Sequence, residues 1–160
     1  MALTSGCLRR FPSIRQSTPV RSSLTTCGAA ASTQCSDVGV AADPSNHGRS
    51  ITSEGGDEVA AVSVDAESDT VTVHGRTYGN GDPQCRTVSL DSVRLADDVL
   101  TVMVRNGVDV PMNGGCNESL GAVFYEARLV PRADAPPFSS VRVQHLADDR
   151  TLLSGTVDVG

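Results

Sequence analysis

The feature that most constrains this chain is an apolar residue, usually valine, at every second position, in short runs that Asp, Gly and Pro interrupt. Val62 and Val64 flank Ser63. Val71 and Val73 alternate with Thr70, Thr72 and His74, and Leu100, Val102 and Val104 alternate with Thr101, Met103 and Arg105. A period of two sends successive side chains to opposite faces of a pleated strand, so each run predicts a strand with one apolar and one polar face. The same signal recurs at Val88 and Leu90, at Val123, Tyr125, Ala127 and Leu129, at Val141, Val143 and His145, and from Leu153 to Val159. Val93 and Leu95 fall on the parity opposite to Val88 and Leu90, which predicts a β-bulge near Asp91 and Ser92.

The interruptions are turn chemistry. The acidic stretch from Asp65 to Asp69 and the pairs Asp97-Asp98 and Asp148-Asp149 join runs at hairpin distance, while Pro131, Pro136 and Pro137 end another run because proline cannot donate to a ladder. Seven short strands of this kind predict an all-β fold, an antiparallel sandwich or barrel, with the immunoglobulin-like sandwich one arrangement of that size. Residues 57–160 hold eighteen Val, eight Leu and no Ile, with four aromatics. Branched valine suits a half-buried pleated surface, and so light a core gains more than usual from a covalent staple.

Residues 1–56 are of another kind. Sixteen of them are Ser or Thr, Phe11 is the one aromatic, and neither apolar period is present. Such a segment buries too little to offset its ordering entropy, so residues 1–56 are expected to form a disordered tether and residues 57–160 the folded domain. Charge divides similarly: residues 1–50 carry five Arg and two acids, net +3, and residues 51–160 carry eight Arg and seventeen acids, net −9. The sum, −6, comes without a basic stripe or interleaved aromatics, which argues against a nucleic-acid partner. No apolar run reaches the roughly 18 residues of a transmembrane helix. All thirteen basic residues are Arg, and fourteen Asp stand against five Glu. That bias suggests a GC-rich genome, and an acidic surface is tolerable where salt screens it, so a halophilic source is expected.

Five cysteines stand at 7, 27, 35, 85 and 116. Cys85 and Cys116 flank predicted strands and are the natural disulfide pair, worth ~3.5 to 4 kcal/mol in the chain-entropy model and implying an oxidising compartment. Two buried reduced thiols are the alternative. Cys27 and Cys35 form a second candidate pair. Structural zinc is disfavoured, because its cysteines usually come two to four residues apart, whereas seven residues separate Cys27 from Cys35 and thirty separate Cys85 from Cys116. Leu3-Thr4-Ser5-Gly6-Cys7 looks like the end of a prokaryotic lipoprotein signal, which makes Cys7 a candidate lipidation site. The charged and apolar segments of a signal do not precede it, so the match is either part of a longer reading frame or chance. Asn117-Glu118-Ser119 is an N-glycosylation sequon.

No motif for catalysis, phosphate binding or metal binding appears. His47, His74 and His145 lack metal-ligand spacing, and His74 and His145 are expected as hydrogen-bonded surface residues of strands. Glu126, Asp97 and Asp98 join those two histidines as the remaining titratable candidates, with no motif linking them. Gly75, Gly79 and Gly81 read as turn glycines, and Asp148-Asp149, like Asp97-Asp98, as solvated turn residues. No cofactor and no deep polar cleft are expected.

The blocks Cys85-Arg86-Thr87-Val88-Ser89-Leu90-Asp91-Ser92-Val93, Asp98-Val99-Leu100-Thr101-Val102, Cys116 with Leu120, Phe124-Tyr125-Glu126-Ala127 and Val141-Arg142-Val143-Gln144-His145 resemble small exported proteins of halophilic archaea. The resemblance spans about residues 70–147. It implies an extracellular or cell-surface location and supplies no reaction. The expectation is a non-catalytic structural or binding module of unknown ligand, with membrane attachment through a lipid on Cys7. A cytoplasmic all-β protein with reduced thiols, or a small enzyme without a recognisable motif, is the alternative.

Overall fold

The computed structural model describes residues 19–28, 48–80, 86–108 and 120–160. Among them lie nine strands and no helix: β1 Val20–Gly28, β2 Arg49–Thr52, β3 Val59–Val64, β4 Val71–Asn80, β5 Arg86–Ala96, β6 Val99–Val108, β7 Leu120–Pro131, β8 Ser140–Ala147 and β9 Arg150–Asp158. They form a β-sandwich. One sheet is antiparallel throughout, in the order β1-β7-β4-β3-β2, and the other runs β5-β6-β8-β9. The sheet edges meet, with β2 lying against β9 and β1 against β5.

Turn chemistry behaves as the sequence predicts. Ala96 pairs with Val99, and Asp97 and Asp98 between them have φ of 53° and 68°. Positive φ at both central residues is the two-residue turn whose twist matches a hairpin, and aspartate tolerates it better than most side chains. Asp148 has φ 51° in the turn between β8 and β9. The bulge falls where parity changes, with the β5–β6 register shifting between Leu90 and Ser92. Arg105 Nε bonds Asp91 Oδ1 at 2.7 Å and fastens the bulge on its exposed side.

The all-β sandwich expected from the sequence is the fold that forms, and several of its details differ. Nine strands replace seven, because β1 and β2 lie inside the segment read as a tether. Val20 is buried, Leu24 and Ile51 pack on the core, and β1 pairs with β7 along its length, so residues 1–56 are not uniformly disordered. A strand poor in apolar residues is held here by ladder bonds to a partner that carries the apolar face. The sandwich is also not wholly antiparallel, since β6 and β8 pair in parallel. The chain leaves β6, crosses to the other sheet for β7 and crosses back through Pro136 and Pro137, and two reversals restore the original direction. This order is not the immunoglobulin one, in which the first, second, fifth and fourth strands share a sheet.

The core lies between the sheets in rows two residues apart. Val71 pairs with Leu129 and Val73 with Ala127 in the larger sheet, opposite the pairs Leu100–Val141 and Val102–Val143 in the smaller, and all eight are fully buried. The next rows keep this parity and change chemistry: Gly75 with Tyr125 and Thr77 with Val123 in the larger sheet, Val104 with His145 and then Asn106 in the smaller. Among the described residues no helix is long and apolar enough to cross a membrane.

Candidate functional site

The polar rows contain the densest chemistry among the described residues. His145, on β8, is completely buried, as are Tyr125 on β7 and Thr77 on β4. Tyr125 reaches across its sheet because its partner is Gly75, where a Cβ would run into the phenol ring. Gly75 is therefore a strand-interior residue that admits an aromatic, which corrects its reading as a turn glycine. The Tyr125 and His145 rings meet edge to face, with centroids 5.5 Å apart.

Glu58 precedes β3 and turns its carboxylate into the core. The last pair of β3 on that side is Val59 with Arg76, so the next outward-facing backbone groups on β4, the N–H and C=O of Tyr78, have no strand beside them. Side chains replace it. Tyr78 N–H donates to Glu58 Oε1 at 3.1 Å, and Asn106 Nδ2 donates to the Tyr78 carbonyl at 3.1 Å. Asn106 Nδ2 also donates to Thr77 Oγ1 at 2.8 Å, and that hydroxyl donates to Glu58 Oε1 at 3.0 Å. Glu58 Oε2 lies 2.7 Å from His145 Nδ1, and His145 Nε2 lies 2.6 Å from the Tyr125 hydroxyl.

An ionised carboxylate only accepts, so Nδ1 carries a proton, and a neutral ring leaves Nε2 to accept from Tyr125. The Thr77, Tyr78 and His145 donors then point at one carboxylate, and Asn106 and Tyr125 reach it through one relay each. Such chains strengthen each member, and their buried groups are costly when unpaired. Burial first, and the Glu58 charge second, push the Tyr125 phenol well above its usual range, so it stays a neutral donor.

The loop that carries Glu58 is clipped twice. Ser53 N–H donates to the Glu58 carbonyl at 2.9 Å, and Glu58 N–H donates to Ser53 Oγ at 3.1 Å. Arg76 Nη2 donates to the Gly56 carbonyl at 2.8 Å while its guanidinium stands 5.5 Å from the centre of the Tyr78 ring.

His74 and Glu126 pair directly across β4 and β7, with Nε2 and Oε2 3.1 Å apart, and both are buried. They sit on the face of the larger sheet away from the inter-sheet core, in one row with Ala61 and Thr25. Neither His74 nor His145 is the surface residue expected. Asp97 and Asp98 stay in their exposed turn, and Asp98 Oδ2 accepts a bond from Ser139 Oγ. The five titratable candidates are thus divided among three places.

Sequence reasoning missed Glu58, Thr77, Asn106 and the role of Tyr125. A signal existed: Thr77, Asn106 and His145 extend the inward parity of their valine runs, and a polar residue at an inward position requires a buried partner. The partner itself, Glu58, lies outside any run.

An open cleft of about 500 Å³ lies at the other end of the sandwich. Pro131, Arg132, Pro136, Pro137 and Phe138 line it with Asp69 and others, and none of the five titratable candidates does. Cys7, Cys35, Cys85, Cys116 and Asn117 lie outside the described residues, so neither proposed disulfide, the lipidation site nor the sequon is placed. Cys27 is in β1 at its register shift, and its side chain is not described. No family model, curated protein or solved structure matches the chain.

Proposed function

We propose that the protein is an exported, surface-held β-sandwich that acts as a non-catalytic structural or binding module. The observation that carries this reading is the direction of the buried cluster. Glu58, His145 and Tyr125 have the residue types of a proton relay, yet each is spent on another member of the set, His145 and Tyr125 have no exposed surface, and the open cleft of about 500 Å³ lies elsewhere. A general base needs reach to a substrate proton, and these groups reach each other. Export is supported by the cysteine arithmetic, in which Cys7 is lipidated and Cys85–Cys116 and Cys27–Cys35 pair, and by the resemblance to exported proteins of halophilic archaea.

The test is expression in a halophilic archaeal host, followed by cell fractionation and intact-mass measurement with and without reductant. The expected result is surface-associated protein that carries a lipid and gains two hydrogens per bridge on reduction, with any glycan on Asn117 read in the same spectrum. Unmodified protein in the cytosolic fraction, with a mass that reductant leaves unchanged, overturns the reading in favour of the cytoplasmic alternative.

A further inference from the structure

We propose that Glu58 is an acid-released latch: its carboxylate holds the polar end of the sandwich closed, and a second proton taken up by the Glu58–His145 pair opens that end while the apolar end stays folded. The geometry dictates the order of events. The three donors that surround the Glu58 carboxylate come from Thr77, the Tyr78 backbone and His145 Nδ1. A first proton can go to His145 Nε2, the ring nitrogen that faces the Tyr125 hydroxyl. It makes an ion pair, but Nε2 becomes a donor and the Tyr125 hydroxyl must turn to accept. Among the described residues Nε2 is the one acceptor that hydroxyl bonds, so the turn leaves its proton without a partner.

A second proton goes to the Glu58 carboxylate. The imidazolium is then sealed in the core without an anion, and a carboxyl O–H competes with three donors for the same two oxygens. An unpaired buried cation is among the most unfavourable states a core can hold. No other charged group of the described residues bonds into the cluster. From β4 it is faced by the Thr77 hydroxyl and the Tyr78 amide, from β6 by the Asn106 amide through Thr77, from β7 by the Tyr125 phenol and from β8 by His145. Arg76 bonds only backbone carbonyls of the loop, and the His74–Glu126 pair is on the opposite face of the sheet. What can move is the loop from Ser53 to Glu58, which contains Gly55 and Gly56, the latter at φ 78°. Once the carboxylate lets go, the Ser53 clip, the Arg76 bonds and the β2–β3 ladder at its base still hold the loop, but nothing in it then reaches into the core.

Amide hydrogen exchange on the full chain tests the proposal, because Tyr78 N–H is bonded to the Glu58 carboxylate and is a direct reporter. On acidification from neutral pH to below the ordinary carboxylate value of about 4.3, and after correction for intrinsic rates, Tyr78 is expected to lose protection by about tenfold or more while Val102 and Val143 keep theirs. Equal loss at all three positions, or none at Tyr78, overturns the latch. In Glu58→Gln the amide oxygen can still serve Thr77 and Tyr78, but its NH2 meets Nδ1, so His145 must move its proton to Nε2. The acid response of Tyr78 is expected to vanish in that variant, and a response equal to the wild type's overturns the proposal. Should the variant fail to fold, the imidazole ¹⁵N shifts of wild-type His145 decide the matter: a proton on Nδ1 with Nε2 bare at neutral pH supports the latch, and the reverse tautomer refutes it.

Discussion

The two ends of one core are built on opposite principles. At the apolar end Val71, Val73, Leu100, Val102, Ala127, Leu129, Val141 and Val143 interdigitate, and each contributes in proportion to the surface it hides. At the polar end the same strands, two to four residues further along, present Thr77, Asn106, Tyr125 and His145 to a single carboxylate, directly or through one relay. Apolar contact is non-directional, so losing a methylene there costs its burial and the cavity it leaves, and orphans no donor. Hydrogen bonds are directional and their donors are costly when orphaned, so the polar end behaves as one unit. The difference teaches that burial alone does not measure what a residue does in a sandwich this light in aromatics.

Removing the hub of the polar end should have the largest effect. Glu58→Ala strands the Thr77, Tyr78 and His145 donors at once, and we expect a loss of about 4 kcal/mol in denaturant unfolding, in the range of a broken buried pair. Leu100→Ala, fully buried at the apolar end, is expected to cost about 3 kcal/mol. If the leucine proves the more costly, the polar end is ornament on an apolar core. Coupling sharpens the contrast. Glu58→Ala with His145→Leu should cost at least about 1 kcal/mol less than the sum of the single changes, because they dismantle one network, whereas Glu58→Ala with Leu100→Ala should add.

A smaller effect is expected at alkaline pH. In the unfolded chain Tyr125 ionises near pH 10, whereas in the core it stays protonated well beyond that. The folded form therefore binds one more proton, and the stability Tyr125 contributes is complete below about pH 10 and declines above it, by up to about 1.4 kcal/mol per pH unit. The chain has no lysine to titrate in this window. The slope should drop by one proton in Tyr125→Phe, and an unchanged slope would remove Tyr125 from the sealed cluster. The smallest effect belongs to the turn that closes β5 onto β6. Asp97→Gly relieves a side chain at φ 53° and is expected to raise stability by about 0.5 kcal/mol, read as a small rise in melting temperature.

Much of the fold was legible in residue order. Hairpins appeared at Asp65 to Asp69, Asp97-Asp98 and Asp148-Asp149, and the bulge at Asp91, because each depends on a few neighbouring residues and a period of two. The strands β1 and β2 were not legible: their positions follow from pairing with β7 and β3, and an edge strand can draw its stability from a partner's pattern. His145 and His74 were misplaced at the surface for a related reason, since a histidine alternating with valine fits a buried and an exposed row equally well until its partner is known.

The sequence by itself determined the strands from Val59 onward, their inward faces and their turns, all of which are set by sterics and solvation over a handful of adjacent residues. Only the tertiary structure decided that β6 and β8 run in parallel and that Gly75 makes room for Tyr125. It also decided that Glu58, 87 positions from His145, supplies the carboxylate on which four side chains and a backbone amide depend. The physical reason is range. A period of two is enforced locally, but a buried donor must be satisfied by whatever acceptor the packing of two sheets brings within about 3 Å, and no local rule names that acceptor.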